Sequence, residues 1–358
     1  MNRSSTLRRS GLRLAGALAV SGTALWLATR HVRMDELRWA LSRATFLWLL
    51  PYPAICIALN MLRGEIWRRL LHRRVTSAQA FWAYSVGFAA NNVLPFRLGE
   101  ATRVILLSMR GEIPVVEVAA AAGLERLLDM VVLALMLGVL APSAAKMPGV
   151  TSAAALVVLL VGSALATIVA VVRYRDRTRA MFERATQWLP PAPRQAAVER
   201  WDELVRGLAA LLEPGIGIPA AVGAVGVWIL TVVLQWLVLR AFQPQAGAAD
   251  AAFMVVAVSL ASALPAAPGF IGVYHWAGQQ SLTTAFPQLY DPSVALAAAT
   301  VAHAASYVTG TALGIVGLWY FGVAPSTMTR ALRDGAGFHG RREETDISKV
   351  DPLPDITP

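Results

Sequence analysis

Eight long apolar runs constrain this chain more than any other feature of its sequence. They fall at about 12–29, 44–62, 78–107, 115–141, 151–172, 216–239, 250–282 and 293–321. The hydrocarbon core of a bilayer needs about 20 apolar residues for each spanning helix. A soluble protein carries roughly a quarter charged residues, whereas this chain carries 15%. The sequence therefore predicts an all-α polytopic membrane protein.

The formal net charge of the chain is +10. A charge of this size is compatible with nucleic-acid binding, but the arginines are gathered in the segments between the apolar runs. That distribution orients membrane proteins, because basic segments remain on the cytoplasmic side. We therefore expect membrane lipids as partners and no nucleic acid.

Basic segments also predict the orientation of the chain. The N terminus, the 63–77 and 173–215 segments and the C-terminal tail are rich in arginine, which places both termini in the cytoplasm. The 30–43 segment is basic as well and would have to face outward, against this rule. The first run follows several arginines, as in a signal peptide. No convincing cleavage site follows it, so we expect an uncleaved span.

The 173–215 segment differs in character from the rest. It is polar, and prolines beginning at Pro190 divide it. Its second half has apolar residues at helical spacing from Trp201 to Leu212, and Pro214 ends the pattern. We predict a cytoplasmic helical hairpin that lies along the membrane surface. The alternative is a solvated linker helix.

Two apolar runs, 78–107 and 250–282, are interrupted by the same pattern, Leu-Pro-x-x-x-Gly. Proline removes a backbone donor and breaks a helix, and glycine lets the chain turn back. Given the orientation of the neighbouring runs, each interrupted run must enter and leave the membrane on one face, as a re-entrant hairpin does. The predicted break residues are Pro95, Gly99, Pro265, Pro268, Gly269 and Gly272.

The matching order of elements indicates an inverted repeat, with repeat one at about 44–141 and repeat two at about 216–321. Each repeat would hold a span, a re-entrant hairpin and a second span. The whole would have about six full spans plus two re-entrant helical hairpins in a transmembrane domain of residues 1–322. A disordered cytoplasmic tail, 323–358, would follow. Inverted repeats with broken helices are typical of transporters; the alternative is ordinary kinks in spanning helices.

Three ionisable residues lie inside the fourth run: Glu125, Arg126 and Asp129. Charges within a membrane are costly, so they are paired, solvated or functional. Arg126 and Asp129 are three residues apart and can form an ion pair. One hypothesis is that Arg126 binds an anionic headgroup while the two carboxylates orient it or carry protons. The other is a self-neutralised cluster that holds the helix to its neighbours.

Further polar residues follow the first break. Arg97, Glu100 and Arg103 would share one face if 98–109 is helical, and guanidinium groups bind phosphate in a bidentate manner. Near the surface they could instead extend towards the headgroup region. Two asparagines before the break, Asn91 and Asn92, could hydrogen-bond freed backbone or a substrate.

The second half of the chain offers His303 and Tyr307 at the positions that correspond to Glu125 and Asp129, counted from the preceding prolines. Histidine titrates near neutral pH, although a lone membrane histidine is more often structural. We include both residues in the predicted substrate site. No metal-ligand spacing and no catalytic motif is present, so we expect no metal, no cofactor and no enzymatic activity.

Three motifs in order carry a family resemblance: Asn-Asn-x-Leu-Pro-x-Arg-x-Gly-Glu-x-x-Arg at 91–103, Glu-Arg-x-x-Asp at 125–129 and Leu-Pro-x-x-Pro-Gly-x-x-Gly at 264–272. The chain resembles the flippase-like membrane family typified by the membrane region of lysylphosphatidylglycerol synthases. The resemblance implies a bacterial cytoplasmic (inner) membrane protein that handles lipids. The residues that match are Asn91, Asn92, Arg97, Glu100, Arg103, Glu125, Arg126 and Asp129.

The chain departs from the full-length synthases in one respect, because the roughly 36 residues after Gly322 are too few for an aminoacyl-transferase domain. We therefore expect a lipid flippase-like transporter that moves an amphipathic, anionic-headed lipid. The alternative is a non-transporting membrane subunit that scaffolds lipid- or glycan-biosynthesis enzymes.

Overall fold

A computed structural model describes residues 3–30, 32–94, 98–144, 150–264 and 266–322. Within these ranges the chain folds into α-helices joined by short connections and 3-10 turns, without a β-strand, which confirms the all-α prediction. The helices are α1 Arg3–Thr29, α2 Met34–Arg43, α3 Tyr52–Leu70, α4 Ser77–Val93, α5 Leu98–Gly111, α6 Val115–Ala144, α7 Val150–Arg173, α8 Arg175–Ala185, α9 Pro191–Ala209, α10 Pro214–Phe242, α11 Ala248–Ala261, α12 Val273–Ala285 and α13 Pro292–Phe321.

Four segments in the described ranges are long and apolar enough to cross a membrane: Phe46–Leu70, Ala155–Arg173, Pro214–Phe242 and Pro292–Phe321. They correspond to α3 with the turn before it, most of α7, α10 and α13. They support a multi-pass membrane protein. Helix α6 has 30 residues, as many as α13. It contains the three charged residues of the fourth apolar run, Glu125, Arg126 and Asp129.

Each interrupted run forms two short helices that pack against each other, α4 with α5 and α11 with α12. These helices have 17, 14, 14 and 13 residues, all fewer than the roughly 20 that cross a bilayer core. The first pair lies in the chain between α3 and α6, and the second between α10 and α13. The two halves therefore have the same order of helices.

The second break is shaped by two glycines with positive φ, Gly269 at 69° and Gly272 at 89°. A side chain is strained in this region of the Ramachandran plot. A Cβ atom at Gly272 would also overlap the backbone oxygen of Ser21 in α1. The Ser21 hydroxyl accepts a hydrogen bond from the Ala267 backbone N–H at 2.8 Å. Pro95, Arg97 and Pro265, which were predicted at or beside the breaks, lie outside the described residues, as does the predicted tail 323–358.

Helices α4 and α13 approach each other closely along a row of glycines, Gly310, Gly314 and Gly317. A Cβ atom on Gly314 would lie 2.7 Å from the backbone oxygen of Ser85 and would overlap Ala89. Small residues are common where membrane helices pack backbone to backbone. This contact joins a broken helix of the first half to the last span of the second half.

Two polar segments are helical. In the 173–215 segment, α8 and α9 pack against each other through Phe182 and Trp201, whose stacked rings are 4.8 Å apart. In the 30–43 segment, whose basic residues did not fit the predicted orientation, α2 forms and packs against α13. Glu36 of α2 accepts a hydrogen bond from the Ser293 hydroxyl at 2.9 Å. The basic residues that contradicted the orientation rule therefore belong to, or border, a helix fixed to the bundle.

Candidate functional site

A buried ion-pair network connects α3, α5 and α6. Arg63 Nη1 donates to Glu125 Oε1 at 3.1 Å and to Asp129 Oδ1 at 2.8 Å. Glu125 and Asp129 are each only 2% exposed. An isolated buried charge is very unfavourable, so these carboxylates depend on their partners.

Two more arginines complete the network. Arg103 Nη1 donates to Glu125 Oε2 at 3.2 Å. Arg126 binds Asp129 Oδ2 at 3.4 Å and Glu100 Oε1 at 2.7 Å. Together with Arg63 they make three arginines, which face three carboxylates, Glu100, Glu125 and Asp129. Arg126 pairs with Asp129, and both Glu125 and Asp129 are bound by arginines. This arrangement is consistent with the self-neutralised cluster, one of the two hypotheses for these residues.

Arg126 nevertheless differs from the rest of the network. Its side chain is 44% exposed, whereas that of Arg103 is 5% exposed and that of Arg63 is 10% exposed. Arg103 is also enclosed by aromatic rings, lying 5.1 Å from the Trp67 ring and 5.0 Å from the Tyr84 ring. Arg126 is thus the most accessible cation of the network, and the other two arginines support the buried carboxylates.

A cavity of about 280 Å³, here the central cavity, lies between the two helix pairs and borders this network. Its wall combines both halves of the chain: Tyr84, Glu100 and Arg126 come from the first, and Gly269 and Tyr274 from the second. Seven of the ten residues predicted for the substrate site line it: Asn91, Asn92, Glu100, Arg103, Arg126, His303 and Tyr307. Glu125 and Asp129 are buried behind this wall, and Arg97 lies outside the described residues.

The two asparagines have different roles in the structure. Asn91 Oδ1 accepts a hydrogen bond from the Gly99 backbone N–H at 2.9 Å, at the start of α5. Asn92 Nδ2 donates to Thr311 Oγ1 of α13 at 3.0 Å. Asn91 therefore provides a hydrogen-bond acceptor for a backbone N–H at the start of α5, and Asn92 links the end of α4 to α13 in the second half of the chain. Both still contribute to the cavity wall.

An aromatic cluster forms another part of the wall of the central cavity, through Tyr274, His303 and Tyr307. The His303 ring stacks on Tyr274 at 4.7 Å and lies 5.0 Å from the His275 ring. His303 Nε2 is 2.7 Å from the backbone oxygen of Gly269, at the second break. The Tyr307 hydroxyl donates to the backbone oxygen of Asn92 at 3.4 Å. The two predicted residues thus each contact a break while facing the cavity.

Sequence reasoning missed Arg63, Tyr84 and Trp228. Arg63 was assigned to a basic loop at 63–77, but α3 continues to Leu70 and Arg63 is 8% exposed within it. Asn60, Arg63 and Trp67 are buried on one face of α3. Their spacing of three and four residues was the signal that could have identified them. Trp228 donates its indole N–H to Asp129 Oδ1 at 2.9 Å.

No group of three His, Cys, Asp or Glu residues that could hold a metal ion occurs in the described part of the chain. The family model described as the lysylphosphatidylglycerol synthase TM region matches residues 14–314. Comparisons with curated proteins and with solved structures gave no match.

Proposed function

The chain belongs to the lysylphosphatidylglycerol synthase transmembrane-region family, and we propose that it moves an amphipathic, anionic-headed lipid between the leaflets of the bacterial cytoplasmic membrane. The headgroup would enter the central cavity, and the acyl chains would remain in the bilayer. Membership of the family links the chain to membrane lipids. The guanidinium group of Arg126 on the cavity wall supports an anionic headgroup.

The observation that carries this proposal is the position of Arg126. It is a partly exposed guanidinium on the wall of a cavity inside a membrane bundle, and buried carboxylates behind it are already neutralised by Arg63 and Arg103. Guanidinium groups bind phosphate through two parallel hydrogen bonds. A network built only to hold helices together would have no need of an accessible cation.

The two helix pairs support a transporter architecture. We propose that α4–α5 and α11–α12 are re-entrant hairpins that enter from opposite faces, within two inverted repeats and with both termini in the cytoplasm. Broken helices that meet at a polar cavity are a recurrent design of secondary transporters. Irregular backbone at membrane depth is tolerated only where protein buries it or where it lines a cavity, and Gly269 at the second break does line the central cavity.

Leaflet exchange tests this proposal. The purified chain is reconstituted into vesicles, and the transfer of fluorescent lipids of several headgroup classes between leaflets is measured. Arg126→Gln should slow the transfer of anionic lipids at least tenfold, because charged hydrogen bonds contribute about 1.5–3 kcal/mol each. Arg179→Gln is the matched control: its side chain is 50% exposed and paired with Glu183, away from the central cavity.

A folded wild-type chain that transfers none of the lipids would refute the transporter proposal. Equal transfer by wild type and Arg126→Gln would refute the role of Arg126.

The alternative function is a scaffold for lipid- or glycan-biosynthesis enzymes. The enzymes would bind α8–α9, where Trp188, in the connection between the two helices, is 80% exposed. A scaffold should be indifferent to Arg126→Gln and should lose its partner when Trp188 is replaced by alanine.

A further inference from the structure

A groove lies between α7, α8 and α9, at the end of the spanning part of α7. It has a volume of about 610 Å³, and we call it the α7–α9 groove. The apolar segment Ala155–Arg173 ends in its wall, which contains both Val172 and Arg173. The groove therefore lies at the level where α7 leaves the hydrocarbon core, on the side that we propose to be cytoplasmic.

Charged residues dominate one part of this wall: Arg173, Arg175, Arg179, Arg206, Asp176 and Asp202. Arg175 and Arg179 each pair with at least one carboxylate, at 3.3–3.9 Å. Arg173 and Arg206 are exposed and form no ion pair with any residue that the structure describes. Two cations of the groove are therefore available to an anion.

Apolar side chains form another part of the wall, among them Val172, Val205 and Leu212. None of the residues in the most apolar part of α7 is buried within the protein, so we expect this helix to contact acyl chains along its length. An anion that also carries acyl chains would contact the arginines with its headgroup and α7 with its chains. A free anion would use only the arginines.

We propose that the α7–α9 groove binds an anionic phospholipid of the adjacent leaflet as a ligand that is not transported, with its phosphate on Arg173 and Arg206. Guanidinium groups bind phosphate through parallel hydrogen bonds, and basic residues beside a span attract anionic lipids. No residue lines both this groove and the central cavity. The proposal goes beyond the proposed function, since it requires a membrane but not transport.

The groove is connected to the ion-pair network through α9. A Cβ atom at Gly207 of α9 would lie 2.6 Å from the Cβ atom of Ala120 in α6, so the two helices are in direct contact. Helix α6 also carries Glu125 and Arg126. A lipid bound between α7 and α9 would therefore hold α9 in place against the helix that contains part of the network.

Native mass spectrometry of the purified full chain in neutral detergent tests the proposal by counting bound phosphatidylglycerol molecules during a titration. Arg173→Gln combined with Arg206→Gln should weaken the binding of one lipid about tenfold, because each arginine beside a span adds to the attraction for an anionic headgroup. The matched control is Arg177→Gln combined with Arg200→Gln. These two arginines are exposed on α8 and α9 but do not line the groove, so the same loss of charge should leave binding unchanged.

Two further probes define the ligand. Phosphatidylcholine, whose headgroup has no net charge, should bind this site roughly fivefold more weakly than phosphatidylglycerol. Excess inorganic phosphate, compared with chloride at equal ionic strength, should not displace phosphatidylglycerol, because it lacks acyl chains. Specific displacement by phosphate would overturn the assignment to a lipid, and equal binding of the two phospholipids would overturn the assignment to an anionic one.

Equal weakening by the two double variants would overturn the proposal, because the effect would then be a general loss of charge attraction. No weakening by Arg173→Gln with Arg206→Gln would overturn it as well. All four arginines are exposed, so we expect the variants to fold, and their thermal unfolding midpoints check this. Arg126→Gln should weaken the binding of a different lipid. If it has no effect while the groove variant does, the central site fails and the groove site remains.

Discussion

The indole N–H of Trp228 donates to Asp129 Oδ1 at 2.9 Å, and this bond joins α10 of one half to α6 of the other. Arg63 of α3 binds the same carboxylate oxygen at 2.8 Å. A single side chain therefore connects three helices at the centre of the bundle. The carboxylate of Asp129 therefore holds these helices together through hydrogen bonds that need its negative charge.

Asp129→Asn should destabilise the protein by about 3 kcal/mol, because it leaves three arginines facing two carboxylates and so one buried positive charge without compensation. Thermal unfolding in detergent measures the loss. Asp176→Asn is the control: that side chain is 98% exposed beside Arg175, and its change should remain within about 0.5 kcal/mol. Equal stability of the two variants would contradict the structural role of Asp129.

Glu100→Gln should increase the affinity for an anionic lipid several-fold. Glu100 Oε1 binds Arg126 Nη2 at 2.7 Å, so its charge competes with an incoming phosphate for the same guanidinium. Titration with phosphatidic acid measures the change. Glu65→Gln is the control, since the Glu65 side chain is also 30% exposed and bound to an arginine, Arg68. Weaker binding by Glu100→Gln would show that Glu100 instead positions Arg126 for the ligand.

Gly314→Ala should destabilise the protein by about 2 kcal/mol, because the added methyl group overlaps Ala89 and crowds the Ser85 carbonyl across the α4–α13 contact. Unfolding in detergent again provides the measurement. Gly162→Ala on α7 has nothing within 4 Å of the new methyl group and should be neutral or slightly stabilising, since alanine favours helix. Tolerance of alanine at Gly314 would mean that the helices are not in close contact there.

Cysteine labelling tests the inverted topology. In a Cys56→Ala background, Glu112→Cys lies in the connection before α6, and Gln288→Cys lies in the connection before α13. Both positions are exposed. A membrane-impermeant thiol reagent added to intact cells should label position 288 and not position 112. Labelling of both or of neither would refute the proposed arrangement of the repeats.

The sequence predicted the parts of the fold that depend on local patterns. Apolar runs located the long helices, and the Leu-Pro-x-x-x-Gly pattern located both interruptions, because spanning length and helix breaking are properties of short segments. Positive φ at Gly269 and Gly272 agrees with the reason for expecting glycine there. The charged triplet of α6 was likewise recognised from its position in an apolar run.

Long-range partners could not be predicted in the same way. Arg63 is followed by further arginines, and a basic cluster after an apolar run is typical of a loop that orients a membrane protein. Only tertiary packing separates Arg63, which pairs with Glu125, from Arg68, which pairs locally with Glu65. The bond from Trp228 to Asp129 spans 99 residues, and no local spacing indicates it.

The close contact between α4 and α13 constrains how such a bundle can move. Gly310 and Gly314 leave no room between the two helices, and Asn92 bonds to Thr311 beside them. We therefore expect the two helices to move together, although one comes from each half of the chain. If the central cavity opens, we expect the movement to occur away from this contact, because separating α4 from α13 would break their close packing.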